Sequence, residues 1–289
     1  MSESVSARQL ESPMLLDRRY VWAGLASRKA RLRMARASIL VGLLALWEFG
    51  APLAGIPRFL LPQPSAIAAA LAKGLFTSPV APDGFYFHMA TTMTQGFVGF
   101  LIGGSLGLLM GTSLAYFPFL ERTVLPYIMA FQSLPKVAVA PLIIIWFGLG
   151  MESKIVLVML LTFFPLLINS LVGFKNVDQE RIELLTSLKA SNWQIFWKVR
   201  LQSAMPAIFA GIEMAILFAV TGSIVGEFLG GQAGLGVLIQ RYQRAFNLAG
   251  SFATIIVLAT TGVLLMAITR MIRERLLFWS AAQQTETNL

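Results

Sequence analysis

Six stretches of about 20 mostly apolar residues recur along this 289-residue chain, and about 20 residues is what an α-helix needs to cross the hydrocarbon core of a bilayer. They run from about Ala37 to Ile56, Met93 to Ala115, Val124 to Phe147, Lys154 to Val172, Ala204 to Gly226 and Ala249 to Ile272. Only 13% of the residues are charged and 56% are hydrophobic, against about 25% and about 45–50% in soluble domains. The spans account for most of the chain. The fold expected is an all-α polytopic membrane domain over residues 36–275, with an N-terminal tail at 1–35 and a C-terminal tail at 276–289.

The net charge of +9 suggests nucleic acid only until its distribution is read. Eight of the 23 Lys and Arg precede the first apolar run, a flank that holds the start of a membrane helix in the cytoplasm. With six spans and both termini inside, 17 basic residues fall on inside segments and five on outside loops, namely Arg58, Lys73, Lys154, and the Arg241 and Arg244 of a Gly-rich loop before the sixth span, in accord with the positive-inside rule. No soluble surface remains to read a nucleic acid. The chain has no Cys, so disulfides and thiolate metal sites are excluded. His88 is its only histidine; it is expected in a loop as an ordinary polar residue. The first apolar run follows a basic, polar segment without a cleavage site and reads as a retained anchor.

Local signals refine the spans. Gly99, Gly103, Gly107 and Gly111 are spaced by four in the second span, a small-residue face that lets another helix approach closely. Pro135 and Pro141 interrupt the third span and Pro165 lies in the fourth. Three prolines in Pro57–Ser65 forbid a helix between the first span and a short surface helix at 66–76, which Ser65 is placed to cap.

The longest internal polar stretch, 178–203, reads as two short helices. Glu180, Glu183 and Ser187 share one helical face; Trp193, Phe196 and Trp197 repeat the spacing on the next. Ala190-Ser191-Asn192 forms the turn and N-cap between them. Periodicity alone leaves two readings, a plain interfacial connector or a surface on which a soluble partner docks.

This stretch resembles the EAA loop of bacterial ABC importer permeases, E-A-A-x-x-x-G followed by a distal I-x-L-P. Glu183 falls on the motif's Glu, while Leu184 and Leu185 replace the two Ala, Lys189 the Gly and Gln202 the first Pro; Leu201 and Pro206 fit its end. Leu61-Pro62-Gln63-Pro64-Ser65, Leu134-Pro135-Lys136-Val137-Ala138, Trp146-Phe147-Gly148-Leu149-Gly150, Gly226-Glu227-Phe228 and Gly234-Leu235-Gly236 are similar to segments of the nitrate/sulfonate/taurine-type permeases. The resemblance implies a type I importer permease in the bacterial inner membrane, a transporter subunit and not an enzyme. A second permease copy, expected to be identical, would complete the path for a small polar or anionic solute. Two ABC ATPase subunits would dock on the loop, with Glu180, Glu183, Ser187, Lys189 and Ala190 as coupling residues. A periplasmic or lipid-anchored binding protein would deliver the solute. No cofactor is expected on this chain, because ATP and Mg belong to the ATPase and no G-x-x-x-x-G-K-[ST] occurs here.

Polar residues at membrane depth mark a cavity or a partner. Lys136, after Pro135, reads either as a pore-lining cation or as a lysine paired with carbonyls that the proline frees. Gln132, Pro135, Lys136, Asn169 and Glu213 are the pore-lining candidates. Asn169 is expected to hydrogen-bond between helices, and Glu213 to pair across the bundle. Glu48 is read as a packing or interfacial residue. Glu227, Gly234 and Gly236 are candidates for a periplasmic gate or for binding-protein docking. The rival reading is an ATP-independent secondary transporter or channel, which leaves the loop unexplained and calls for an inverted repeat that the halves lack. An intramembrane enzyme would need a catalytic set inside the spans, and none appears.

Overall fold

The structure, a computed structural model, describes residues 18–78, 81 and 84–279, and these are helices joined by short turns. The chain divides into two compact units, Met1–Ser65 and Ala66–Leu289. Expectations for residues 1–17 and 280–289 lie outside the described residues.

In the first unit, α1 (Arg18–Leu53) carries a span at Met34–Leu53. The helix starts well before the expected Ala37, so the part of the N-terminal tail from Arg18 onward is helical. Ile39, Leu43, Leu46 and Phe49 are all more than half exposed, a surface matched to lipid rather than to water. Glu48 near its end folds the following segment back: its carboxylate accepts the Ser65 N–H at 2.9 Å and the Ser65 hydroxyl at 2.7 Å. Gln63 Nε2 donates to the Glu48 carbonyl at 3.2 Å. Ser65 is therefore not an N-cap. The next helix, α2 (Pro64–Leu75), begins one residue earlier, with proline at the position where a missing N–H costs nothing.

The second unit is built on α3 (Phe85–Tyr116), α6 (Met151–Lys175) and α9 (Leu201–Gly230), with α6 packed along both others. The glycine face finds its partner in α6. A Cβ on Gly99 would stand 2.6 Å from the Val158 side chain; on Gly103, Gly107 and Gly111 it would overlap the carbonyl oxygens of Met159, Phe163 and Leu167. Four glycines spaced by four thus meet four successive turns of α6, backbone against backbone. Gly173 and Gly211 make similar approaches between α6 and α9, to Ala204 and to Pro165 and Asn169.

Between α3 and α6 lie α4 (Pro118–Gln132) and α5 (Lys136–Phe147). They were expected as one interrupted span. The helix breaks at Ser133-Leu134-Pro135, because proline cannot donate to the preceding turn and clashes with it, and the chain turns there by 91°. Among the described residues five helices are long and apolar enough to cross a membrane, and six if the bent pair is one span. After α6 come α7 (Gln179–Ser187), α8 (Asn192–Ile195), a π turn at Phe196–Arg200 and then α9. The segment expected as a Gly-rich loop after α9 is largely helix, α10 (Leu235–Arg244), whose Leu235, Leu238 and Ile239 are buried. The last span is α11 (Leu248–Leu276).

Candidate functional site

The loop between α6 and α9 keeps its shape by local bonds. Asp178 caps α7, its side chain accepting the Glu180 N–H at 3.0 Å. Ser191 caps α8 in a reciprocal capping box: Gln194 N–H donates to the Ser191 hydroxyl and Ser191 N–H to the Gln194 side chain. At the end of α7, Lys189 N–H reaches the Thr186 carbonyl at 2.9 Å and Ala190 N–H the Leu185 carbonyl at 3.0 Å. This is a Schellman motif, and Lys189 occupies its left-handed position with φ 55°. The departure from glycine at this position is thus accommodated with the turn intact.

No residue of α7 is buried. Glu180 and Glu183 stand exposed on one face, and Leu184 and Leu188 beside them are 62% and 69% exposed. The face is mixed, with acidic and leucine side chains together. The Ser187 hydroxyl is turned back to the Glu183 carbonyl at 3.0 Å. Behind the loop an aromatic stack runs into the spans: Trp193 on Phe196, Phe196 on Phe174, Phe174 against Tyr116, with the Arg200 guanidinium 4.9 Å from the Tyr116 ring centre. Lys175 in the last turn of α6 pairs with Glu121 in the first turn of α4 at 2.6 Å, each charge facing its own helix dipole favourably.

The pore candidates fall into separate places. Gln132, Pro135 and Lys136 lie together at the α4–α5 break. Lys136 Nζ donates to the Gln132 carbonyl at 2.8 Å and sits 4.7 Å from the centre of the Phe164 ring. The lysine thus holds a carbonyl left open where α4 ends. The Gln132 side-chain oxygen is buried and has no partner among the described residues. Asn169 bonds within its own helix, Nδ2 to the Pro165 carbonyl at 2.8 Å; the expected interhelical bond is replaced by close packing on Gly211. Glu213 pairs across helices with Arg273 of α11 at 2.9 Å.

At the opposite end of α6 and α9 from the loop lies a buried polar knot. Three consecutive N–H groups at the start of α10 are each bound by a side chain. Gly234 N–H donates to His88 Nδ1 at 3.0 Å, Leu235 N–H to Thr92 Oγ1 at 2.8 Å and Gly236 N–H to Glu227 Oε2 at 2.7 Å. The Thr92 hydroxyl in turn donates to Glu227 Oε1 at 2.7 Å. A carboxylate at a helix N-terminus answers both its orphan donors and its dipole. Gly234 has φ 127°, and a Cβ there would run into the Glu227 carboxyl. Lys154, expected on an outside flank, is buried; its Nζ donates to the Leu149 and Gly230 carbonyls, both at 2.8 Å, and so caps the end of α9.

Residues 103–278 match the family described as binding-protein-dependent transport system inner membrane component. The chain belongs to this permease family. Among its relatives are the riboflavin transport system permease protein of Chloroflexus aurantiacus, 34% identical over 83% of this chain and 88% of that one, and the formylaminopyrimidine transport permease protein of Halalkalibacterium halodurans, 32% identical over 83% and 94%. The taurine transport system permease protein of Escherichia coli is 29% identical over 93% and 97%. A chain of the MetNI methionine ABC transporter shares the fold, with a TM-score of 0.52 at 21% identity over 73% of this chain and 96% of that chain.

The permease is thus the multi-pass inner-membrane component of an ABC importer, holding no cofactor of its own and working with a separate ATPase and a binding protein. The secondary-transporter reading is set aside by this membership. Sequence reasoning missed His88 and Thr92 as a pair. His88 is a buried residue of α3 and not a loop residue, and the available signal was its spacing: His88, Thr92, Gln95 and Gly99 lie on one helical face with small or polar side chains.

Proposed function

We propose that the permease, as a pair of identical copies with all termini cytoplasmic, carries a small polar or anionic solute of the nitrate, sulfonate or taurine, thiamine-precursor or aromatic-acid class. Its loop 178–203 is the seat of the ATPase, with Glu183 the central contact and Glu180, Lys189 and Ala190 shaping the seat. The observation that carries this reading is α7 with its C-cap: an exposed, self-capped helix with Glu180, Glu183 and Leu184 on its outer face and Leu188 exposed at its end. The solute class is supported by the names of relatives, which include taurine and formylaminopyrimidine permeases. The bias of basic residues toward the loop side supports the orientation.

A carboxylate at Glu183 can accept charge-assisted hydrogen bonds, each typically about 1.5–3 kcal/mol. Glu183→Ala should therefore weaken ATPase docking about 10-fold to 150-fold. In proteoliposomes holding the assembled complex and its binding protein, uptake of a labelled sulfonate or related solute and the binding-protein-stimulated ATP hydrolysis should fall together. Insertion and yield of the permease should not change. Normal uptake by an assembled Glu183→Ala complex would remove this residue from coupling.

A further inference from the structure

A cavity of about 300 Å³ opens on the loop side of the second unit, and none of the coupling or pore candidates lines it. The ends of three spans wall it. Asn176 caps α6, Gln202 and Ser203 belong to the first turn of α9, and Trp279 follows α11. A cavity bounded by three span ends on one side lies at the depth of lipid headgroups, where tryptophan also concentrates.

Its lining is rich in donors. Arg181 and Lys198 supply positive charge, Gln202 an amide and Ser203 a hydroxyl. Asp178 is the acid in the wall, and both its oxygens are engaged, one by Arg181 Nε at 3.3 Å and the other by the Glu180 N–H. That pairing uses one nitrogen of the Arg181 fork and leaves the outer two directed elsewhere. Lys198, Gln202 and Ser203 make no side-chain hydrogen bond among the described residues. Unclaimed donors around a polar hollow call for an acceptor-rich anion, and a phosphate with its several oxygens and fixed charge answers all of them.

We propose that this cavity binds the phosphate of an anionic phospholipid from the leaflet on the loop side. The volume admits a headgroup and not acyl chains, and the chains would leave past Pro206 and Trp279 toward the membrane. Basic pockets between spans on the cytoplasmic side are the general setting for such headgroups, each Lys or Arg adding about a fivefold gain in affinity. The lipid would bridge α7, the π turn and the start of α9, joining the base of the coupling loop to the leaflet.

The test uses the full chain, delipidated in a maltoside detergent, titrated with phosphatidylglycerol, phosphatidylcholine or inorganic phosphate while thermal unfolding and bound lipid by native mass spectrometry are followed. Phosphatidylglycerol should bind and raise the unfolding temperature, and phosphatidylcholine should not. Lys198→Gln and Arg181→Gln should each weaken phosphatidylglycerol about fivefold. Ser203→Glu, which puts a negative charge into the hollow, should abolish the effect. Arg275→Gln, an exposed base near the end of α11 and outside the cavity, should leave it unchanged. Equal losses in Arg275→Gln and Lys198→Gln, or equal responses to the two lipids, would overturn the site. Inorganic phosphate reproducing the whole stabilisation, with lipid adding nothing, would overturn the lipid assignment.

Discussion

The two ends of α6 and α9 are held together in opposite ways. At the end where α10 begins, His88, Thr92 and Glu227 reach from two helices to bind three successive N–H groups, and the partners of Gly234 and Leu235 lie 146 and 143 residues away in sequence. At the loop end, caps come from within three residues: Asp178 for Glu180, Ser191 for Gln194. One end exists only when the bundle is assembled. The other carries its own geometry. A segment built from local bonds keeps its shape while its surroundings change, which fits the role proposed for this loop as the seat of the ATPase. A knot of long-range buried bonds suits an end that must keep one arrangement, because breaking any member strands the rest.

Three substitutions sharpen this contrast. Glu227→Ala should have the largest effect, since it leaves the Gly236 N–H buried without an acceptor, at about 1–3 kcal/mol, and leaves the Thr92 hydroxyl only the His88 carbonyl at 3.1 Å. Denaturant or thermal unfolding of the purified permease should show a loss of about 1–3 kcal/mol, with Glu227→Gln recovering part of it; a loss below about 1 kcal/mol would mean that the knot is not what fixes α10. Ser191→Ala should cost about 1 kcal/mol, as removing an N-cap does. Hydrogen exchange should place that loss in residues 191–196 alone, and a loss of protection spreading into α3 would show that the loop is not self-contained. Lys189→Gly has the smallest effect and the opposite sign. A left-handed conformation costs a non-glycine residue about 1–2 kcal/mol, partly offset by the entropy glycine loses on folding. The net gain should be about 0.5–1 kcal/mol in local stability, with transport unchanged; reduced transport would instead reveal a contact made by the lysine.

The same contrast explains what the sequence made legible. The spans, the glycine face of α3, the two-helix loop and the Ser191 cap rest on periodicity and neighbours a few residues apart, and all can be read from the chain. The sharpness of the bend at Ser133-Leu134-Pro135 cannot. Proline announces a break, but the 91° turn follows from where Ile128 packs against Phe164 and Leu167, and Ala140 and Ile143 against Leu157 and Leu161. Nor was α10 read as a helix, because the four glycines around its start, at 230, 231, 234 and 236, signal a loop while the side chains that cap it come from α3 and α9. Lys154 was counted as an exposed flank since nothing local reveals that the last carbonyl of α9 arrives beside it. Among the candidate site residues, the exposed helix that carries Glu180, Glu183 and Ser187 rests on local periodicity and was legible. Lys136 was legible only as a choice between two roles, and its bond to the Gln132 carbonyl depends on how the break closes.

The π turn at Phe196–Arg200 joins α8 to α9 without a kink large enough to divide them, so Asn192–Gly230 runs as one helical rod of 39 residues. At 1.5 Å per residue this rod is about 58 Å long, close to twice the roughly 30 Å of a bilayer core. Such a rod is a lever with its fulcrum in the lipid. A tilt of about 10° around its midpoint sweeps the Asn192 tip sideways by about 5 Å, and moves the far tip beside the Glu227 knot by as much in the other direction. A small angular change at either end is therefore felt at the other with its amplitude preserved and its sense reversed.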